Sequence, residues 1–168
     1  MTEMTTAPVA DPALRAIQDR LDITDVLYRY ASTIDRFDWD GVRSTLADDL
    51  VAQYGNAEPV VGGDAVVAWI SEFCADVVWQ HHLLSVYHVD ADGDHATALV
   101  YHTSHQLFGA EPDSPKVLVG RYHNELRREA GGWRISKLLL ELLWAEEKAD
   151  KGYLEAVGGR GPQLVTRR

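Results

Sequence analysis

Only one cysteine, Cys74, occurs in the 168 residues, alongside two methionines and three phenylalanines. A single thiol excludes an internal disulfide and any thiolate zinc cluster, and it fits a reducing compartment. Positive charge is also scarce. Sixteen lysines and arginines stand against 26 aspartates and glutamates, giving a net charge of −10. That field repels a phosphate backbone, and no basic patch interleaves with aromatic residues, so nucleic-acid binding is not expected. Long hydrophobic runs are missing as well. No stretch approaches the ~18 apolar residues of a membrane span. The N-terminus, MTEMTTAPVADPALR, lacks the basic and apolar regions of a signal peptide. These absences predict a soluble cytoplasmic protein with neither membrane nor nucleic acid as partner.

What is present reads as one domain. Apolar residues make up 46% and charged residues 25%, ordinary for a globular chain of this length. Residues 1–12 read as a flexible leader, 13–148 as the domain and 149–168 as a mobile tail. Asp11-Pro12 has the form of a helix start. Leu14, Ile17, Leu21, Leu27, Tyr30 and Ile34 then recur at helical spacing to about residue 36. DWDGVRSTLADD suggests a short helix capped by Asp38, LVAQYG a strand ending at Gly55, and residues 65–74 a third helix. Four strand-like runs follow, at about 79–90, 95–108, 116–128 and 133–144, separated by DADGDH, GAEPDSP and EAGG. Helices first and a strand meander afterwards predict an α+β fold, with the helices on one face of an antiparallel sheet.

Six of the seven histidines, at 81, 82, 88, 95, 102 and 105, fall in the first hairpin. Adjacent strand residues point to opposite faces, so His81 and His82 cannot share one ion, and His102 and His105 diverge likewise. A two-histidine, one-carboxylate metal site drawn across strands stays open. A two-residue loop at Gly93-Asp94 sets His82 directly opposite His105, on a face shared with Leu84, Val86, Leu99, Tyr101 and Thr103. A bulge would put His81 there instead. Two imidazoles on a mostly apolar face need partners and titrate near neutral pH, which suits acid–base work. Asp35, near the unfavourable C-terminal end of the long helix, could supply one such partner. Tyr30 and Tyr54 are candidate pocket phenols, and the five tryptophans, Trp79 among them, read as core or pocket wall.

YRYASTIDRFDWDGVRSTLADDLVAQYG, QHHLLS, DGDHATALVYHTSHQ and GGWRISKLLLELLW together resemble the SnoaL-like branch of the nuclear transport factor 2-like superfamily. Their order and spacing are most similar to scytalone dehydratase and its bacterial relatives. The resemblance implies a cone of curved antiparallel sheet wrapped against three N-terminal helices, with a central apolar pocket. It also implies a homodimer or homotrimer and no cofactor or metal. Carried over by position, the catalytic set is Asp35, Tyr54, His82 and His105. His81 competes with His82, because the family's histidine follows a glutamine. Tyr30, Ile34, Trp79, Tyr101 and Tyr122 are the candidate substrate-binding residues. Ile34 replaces a water-holding tyrosine of that family, and Gly120 and Tyr122 replace polar residues, so scytalone itself is not the expected substrate. The implied activity is dehydration of a small, mostly apolar, hydroxylated carbonyl compound of polyketide or steroid type. Isomerisation or cyclisation by the same residues is one alternative, and a non-catalytic binding or assembly domain is another.

Overall fold

A computed structural model describes residues 11–109 and 111–147. The tail expected at 149–168 and all but the end of the leader lie outside the described residues. Helix α1 (Pro12–Asp35) starts where Asp11 accepts the Ala13 N–H at 2.9 Å, with Pro12 in the first turn. It stops sharply. Phe37 takes a left-handed φ of 56°, and the N–H groups of Phe37 and Asp38 donate to the carbonyls of Ile34 and Thr33, each at 2.9 Å. This is a Schellman ending with phenylalanine where glycine is usual, at a strain of about 1–3 kcal/mol. Asp35 is thereby held in the last helical turn. Asp38 then caps α2 (Trp39–Arg43) by accepting the Gly41 N–H at 2.9 Å.

The remaining elements are β1 (Leu46–Tyr54), β2 (Val60–Val61), α3 (Gly63–Phe73), β3 (Val77–Asp92), β4 (His95–Phe108), β5 (Glu111–Glu129) and β6 (Gly132–Glu147). The strands form one curved, unclosed sheet in the order β2-β1-β6-β5-β4-β3, antiparallel except where β1 runs beside β6. Register shifts in β3–β4, β4–β5 and β5–β6 bend it. Its core combines Ile23, Val26, Leu27, Tyr30 and Ile34 of α1 and Val66 and Ile70 of α3 with Val100, Tyr122, Leu138 and Leu140 of the sheet. The fold class is α+β, as expected.

Three expectations change. Leu14, Ile17 and Leu21 continue the apolar stripe of α1 in sequence but are each more than half exposed, because the helix starts before the sheet can cover it. GAEPDSP is not a long loop. Phe108 pairs with Glu111, so the β4–β5 connection is a tight hairpin whose proline-rich start already belongs to the strand backbone. The third change concerns the first hairpin. Its turn is the expected one, with Asp92 paired to His95 around Gly93. A bulge between Val86 and His88 then inserts one extra residue in β3, and beyond it His82 faces Ser104 while His81 faces His105. The period of two carries every later side chain of β3 to the other phase.

Gly120 sits next to one of the β5–β6 bulges, and a Cβ built there would meet the Glu141 carbonyl oxygen at 2.5 Å. Backbone cannot yield as a flexible side chain can. Gly120→Ala is therefore expected to lower unfolding free energy by about 1–3 kcal/mol in urea titration. Gly131→Ala, whose added Cβ meets only the end of the Arg134 side chain at 3.1 Å, serves as the mild control.

Candidate active site

Two inward residues of β3 grip the end of α1. Gln80 donates its side-chain N–H to the Ile34 carbonyl at 2.7 Å, and the His82 backbone N–H donates to Asp35 Oδ2 at 3.0 Å. The other Asp35 oxygen, Oδ1, lies 2.5 Å from His82 Nδ1. A carboxylate at a helix C-terminus faces the negative end of the dipole, and two N–H groups from one residue offset that. Ionised carboxylate only accepts, so Nδ1 carries the proton and Nε2 keeps its lone pair. Nε2 has no hydrogen-bond partner among the described residues.

His82 lines a cavity of about 150 Å³. One wall is apolar: Trp69 and Phe73 stack in turn on α3, and Tyr54 lies flat on Trp69 with centroids 4.7 Å apart. Leu118, Leu140 and Leu142 extend it from β5 and β6. The facing wall is polar, built by Gln80 and His82 of β3 and by His102, Ser104 and Gln106 of β4. Gln80↔Gln106 and His82↔Ser104 are direct cross-strand pairs. The hydroxyls of Tyr30 and Tyr54 meet at 2.7 Å, and Tyr122 stands edge-on to both Tyr30 and His102.

Burial sets the electrostatics. Burial raises the pKa of Tyr30, Tyr54 and Tyr122 above the ordinary phenol value, so all three remain hydrogen-bond donors at neutral pH. The His102 ring lies 5.3 Å from the His82 ring, centre to centre. Burial first, and the neighbouring His82 second, lower the His102 pKa to about 3. His102 is therefore a neutral imidazole, and neither ring nitrogen has a partner among the described residues. The Ser104 hydroxyl is unpartnered in the same sense.

Of the residues singled out in the sequence, Tyr30, Ile34, Tyr54, His82 and Tyr122 line the cavity, and Asp35 backs His82. His105, Trp79 and Tyr101 do not. The bulge at Tyr87 reverses the pairing from which the faces of His105 and Tyr101 were inferred, and Trp79, read as core or pocket wall, follows His81, so all three belong to the outer face of the sheet. There the rings of Trp79 and His81 stack at 6.3 Å, His81 and His105 lie 6.5 Å apart, and Tyr101 packs on Tyr87 at 4.3 Å. His102, Ser104, Gln106 and Gln80 were missed. A signal for the first three existed: Ala96, Ala98 and Val100 alternate in the same phase and mark the buried face of β4. No three His, Cys, Asp or Glu side chains gather as metal ligands among the described residues. No described helix is long and apolar enough to cross a membrane.

The model of the SnoaL-like domain family matches residues 15–138. An uncharacterised protein of Mycobacterium tuberculosis is 26% identical over 120 residues, which is 71% of this chain and 82% of that one. A candidate scytalone dehydratase of Novosphingobium aromaticivorans superposes with a TM-score of 0.73 at 14% identity, over 81% of this chain and 91% of its own. A hexachlorocyclohexane dehydrochlorinase of Novosphingobium barchaimii gives 0.74 at 14% identity, over 82% and 94%. At such identities these two structures share the fold.

The buried neutral His102 has a thermodynamic consequence. Its folded pKa of about 3 lies below the ordinary 6.5, so the unfolded chain binds more protons between those values. Stability therefore falls as pH drops through that window, by at most about 1.4 kcal/mol per unit from this one group. Urea midpoints measured from pH 7 to pH 4 should show a shallower fall in His102→Gln than in the parent chain.

Proposed function

Because this chain belongs to the SnoaL-like family of the nuclear transport factor 2-like superfamily, we propose that it is a cofactor-independent lyase removing water from a hydroxylated carbonyl compound. The observation that carries this reading is the Asp35–His82 pair, bonded through Nδ1 and lining a mostly apolar cavity. In that cavity Nε2 is the general base. It takes the proton from the carbon next to the substrate carbonyl, and the C–H electron pair moves into the enolate. Asp35 stabilises the imidazolium that forms. The Tyr54 hydroxyl, ordered by Tyr30, donates to the enolate oxygen.

The second half of the reaction needs an acid at the departing hydroxyl. A neutral His102 is a poor acid but a sound hydrogen-bond donor, so it holds the hydroxyl. The proton on His82 Nε2 is then returned to that oxygen as the C–O bond breaks. Water leaves, the carbonyl reforms, and His82 regains its lone pair. No further reactant is required. His105, which the resemblance placed in the catalytic set, has no part in this scheme. An oriented base beside a cavity also argues against a filled assembly module.

A panel of β-hydroxy ketones, followed by mass spectrometry in deuterated water, tests the reading. Dehydration yields a product lighter by one water. Deuterium gained without loss of water would instead show proton abstraction without elimination, the outcome expected of an isomerase base. His82→Ala and Asp35→Asn should each lower the rate by about 10²–10⁴-fold with the fold retained. Tyr54→Phe should lower it about 10–10³-fold through the lost oxyanion donor. His105→Ala should stay near the parent rate. Near-native turnover in both His82→Ala and Asp35→Asn would overturn the assignment.

A further inference from the structure

The polar wall is larger than the reaction requires. Elimination uses His82 and the groups around it, yet Ser104 and Gln106 continue the strip along β4. Both are at least nine-tenths buried. Successive inward residues of a strand stand about 6.7 Å apart, so Gln106 lies one such step beyond Ser104, which pairs with His82. Gln80 is committed: its amide N–H donates to the Ile34 carbonyl, and its oxygen accepts from Gln106 at 3.4 Å and from the Cys74 thiol at 3.7 Å. That arrangement orients Gln106, turning its N–H to Gln80 and leaving its side-chain oxygen without a partner among the described residues. The Gln106 oxygen and the buried, unpartnered Ser104 hydroxyl beside it in the cavity wall call for a hydrogen-bonding group on the occupant.

Size and charge narrow the occupant further. A cavity of about 150 Å³ matches a benzene-sized molecule, well short of a fused polycycle. No lysine or arginine is among its described lining residues, so a carboxylate or phosphate would enter uncompensated. We propose that Gln106, with Ser104 beside it, is a specificity site selecting an uncharged, single-ring carbonyl substrate by a hydroxyl that donates to the Gln106 side-chain oxygen. This deepens, and rests on, the reading of the same cavity as the catalytic one.

Phenols, planar mimics of an enol, probe the site without turnover, and Trp69 in the cavity wall gives a fluorescence signal. The expected result is that resorcinol or 4-(hydroxymethyl)phenol binds about tenfold tighter than phenol, the effect of one added hydrogen bond in the cavity wall. Gln106→Leu should erase that preference and leave the phenol affinity nearly unchanged. Gln106→Met, close in shape, answers the same question if the leucine variant fails to fold. A four-ring phenolic steroid and 3-hydroxybenzoate should each bind at least about tenfold more weakly than resorcinol. Equal affinity for phenol and both hydroxylated probes overturns the proposal, as does a preference surviving in the Gln106 variants or tighter binding of the steroid. His82→Ala should keep the preference, so a failure of the catalytic reading remains distinguishable from a failure of this one.

Discussion

One carboxylate bonded twice to one residue organises this molecule. Asp35 receives both the backbone N–H and the ring N–H of His82, and thereby joins the end of α1 to the middle of β3. Each side of that contact has a separate structural cause. The left-handed turn at Phe37 stops the helix so that Asp35 stays in its final turn. The bulge in β3 puts His82 inward and His81 outward. Gln80 reinforces the joint one inward position away, through the carbonyl of the residue preceding Asp35. A carboxylate set against a helix dipole is unfavourable unless bonded, which makes the site dependent on this geometry.

The same burial gives different groups different duties. Phenols pushed upward in pKa remain donors, and an imidazole pushed down to about 3 remains neutral. His82 alone among the cavity's histidines has a carboxylate behind it. Two histidines only 5.3 Å apart thus differ in role because one is bonded directly to the carboxylate, while burial of the other outweighs the more distant pull of Asp35. Proton traffic can then run through a single residue, with its neighbours supplying hydrogen bonds.

Much of this was legible in the residues themselves. Asp11-Pro12 and Asp38 marked helix starts, Gly93 marked the hairpin turn, and four strand runs came out within a few residues of their observed limits. Asp35, Tyr30, Tyr54, Ile34, His82 and Tyr122 were singled out and are gathered at one cavity. The failures share a physical origin. Periodicity reads faces only while the ladder is regular, and the extra residue at Tyr87 leaves no compositional mark, so the turn-based register assigned His105 and Tyr101 to the wrong face, while Trp79 was taken for pocket wall on its aromatic character alone. Leu14, Ile17 and Leu21 keep helical spacing beyond the reach of the sheet, and spacing cannot report where a partner ends. The prolines after Gly109 suggested a loop, where the backbone instead enters β5.

The proposed chemistry depends above all on Asp35 fixing the His82 tautomer, with the proton on Nδ1 and Nε2 free to act as base. Nitrogen-15 NMR of the imidazole rings in alkaline solution, assigned with a His82→Gln variant, measures this directly. His82 is expected to be the Nδ1–H tautomer, and Asp35→Asn to weaken or remove that preference. An Nε2–H tautomer in the parent chain would contradict it.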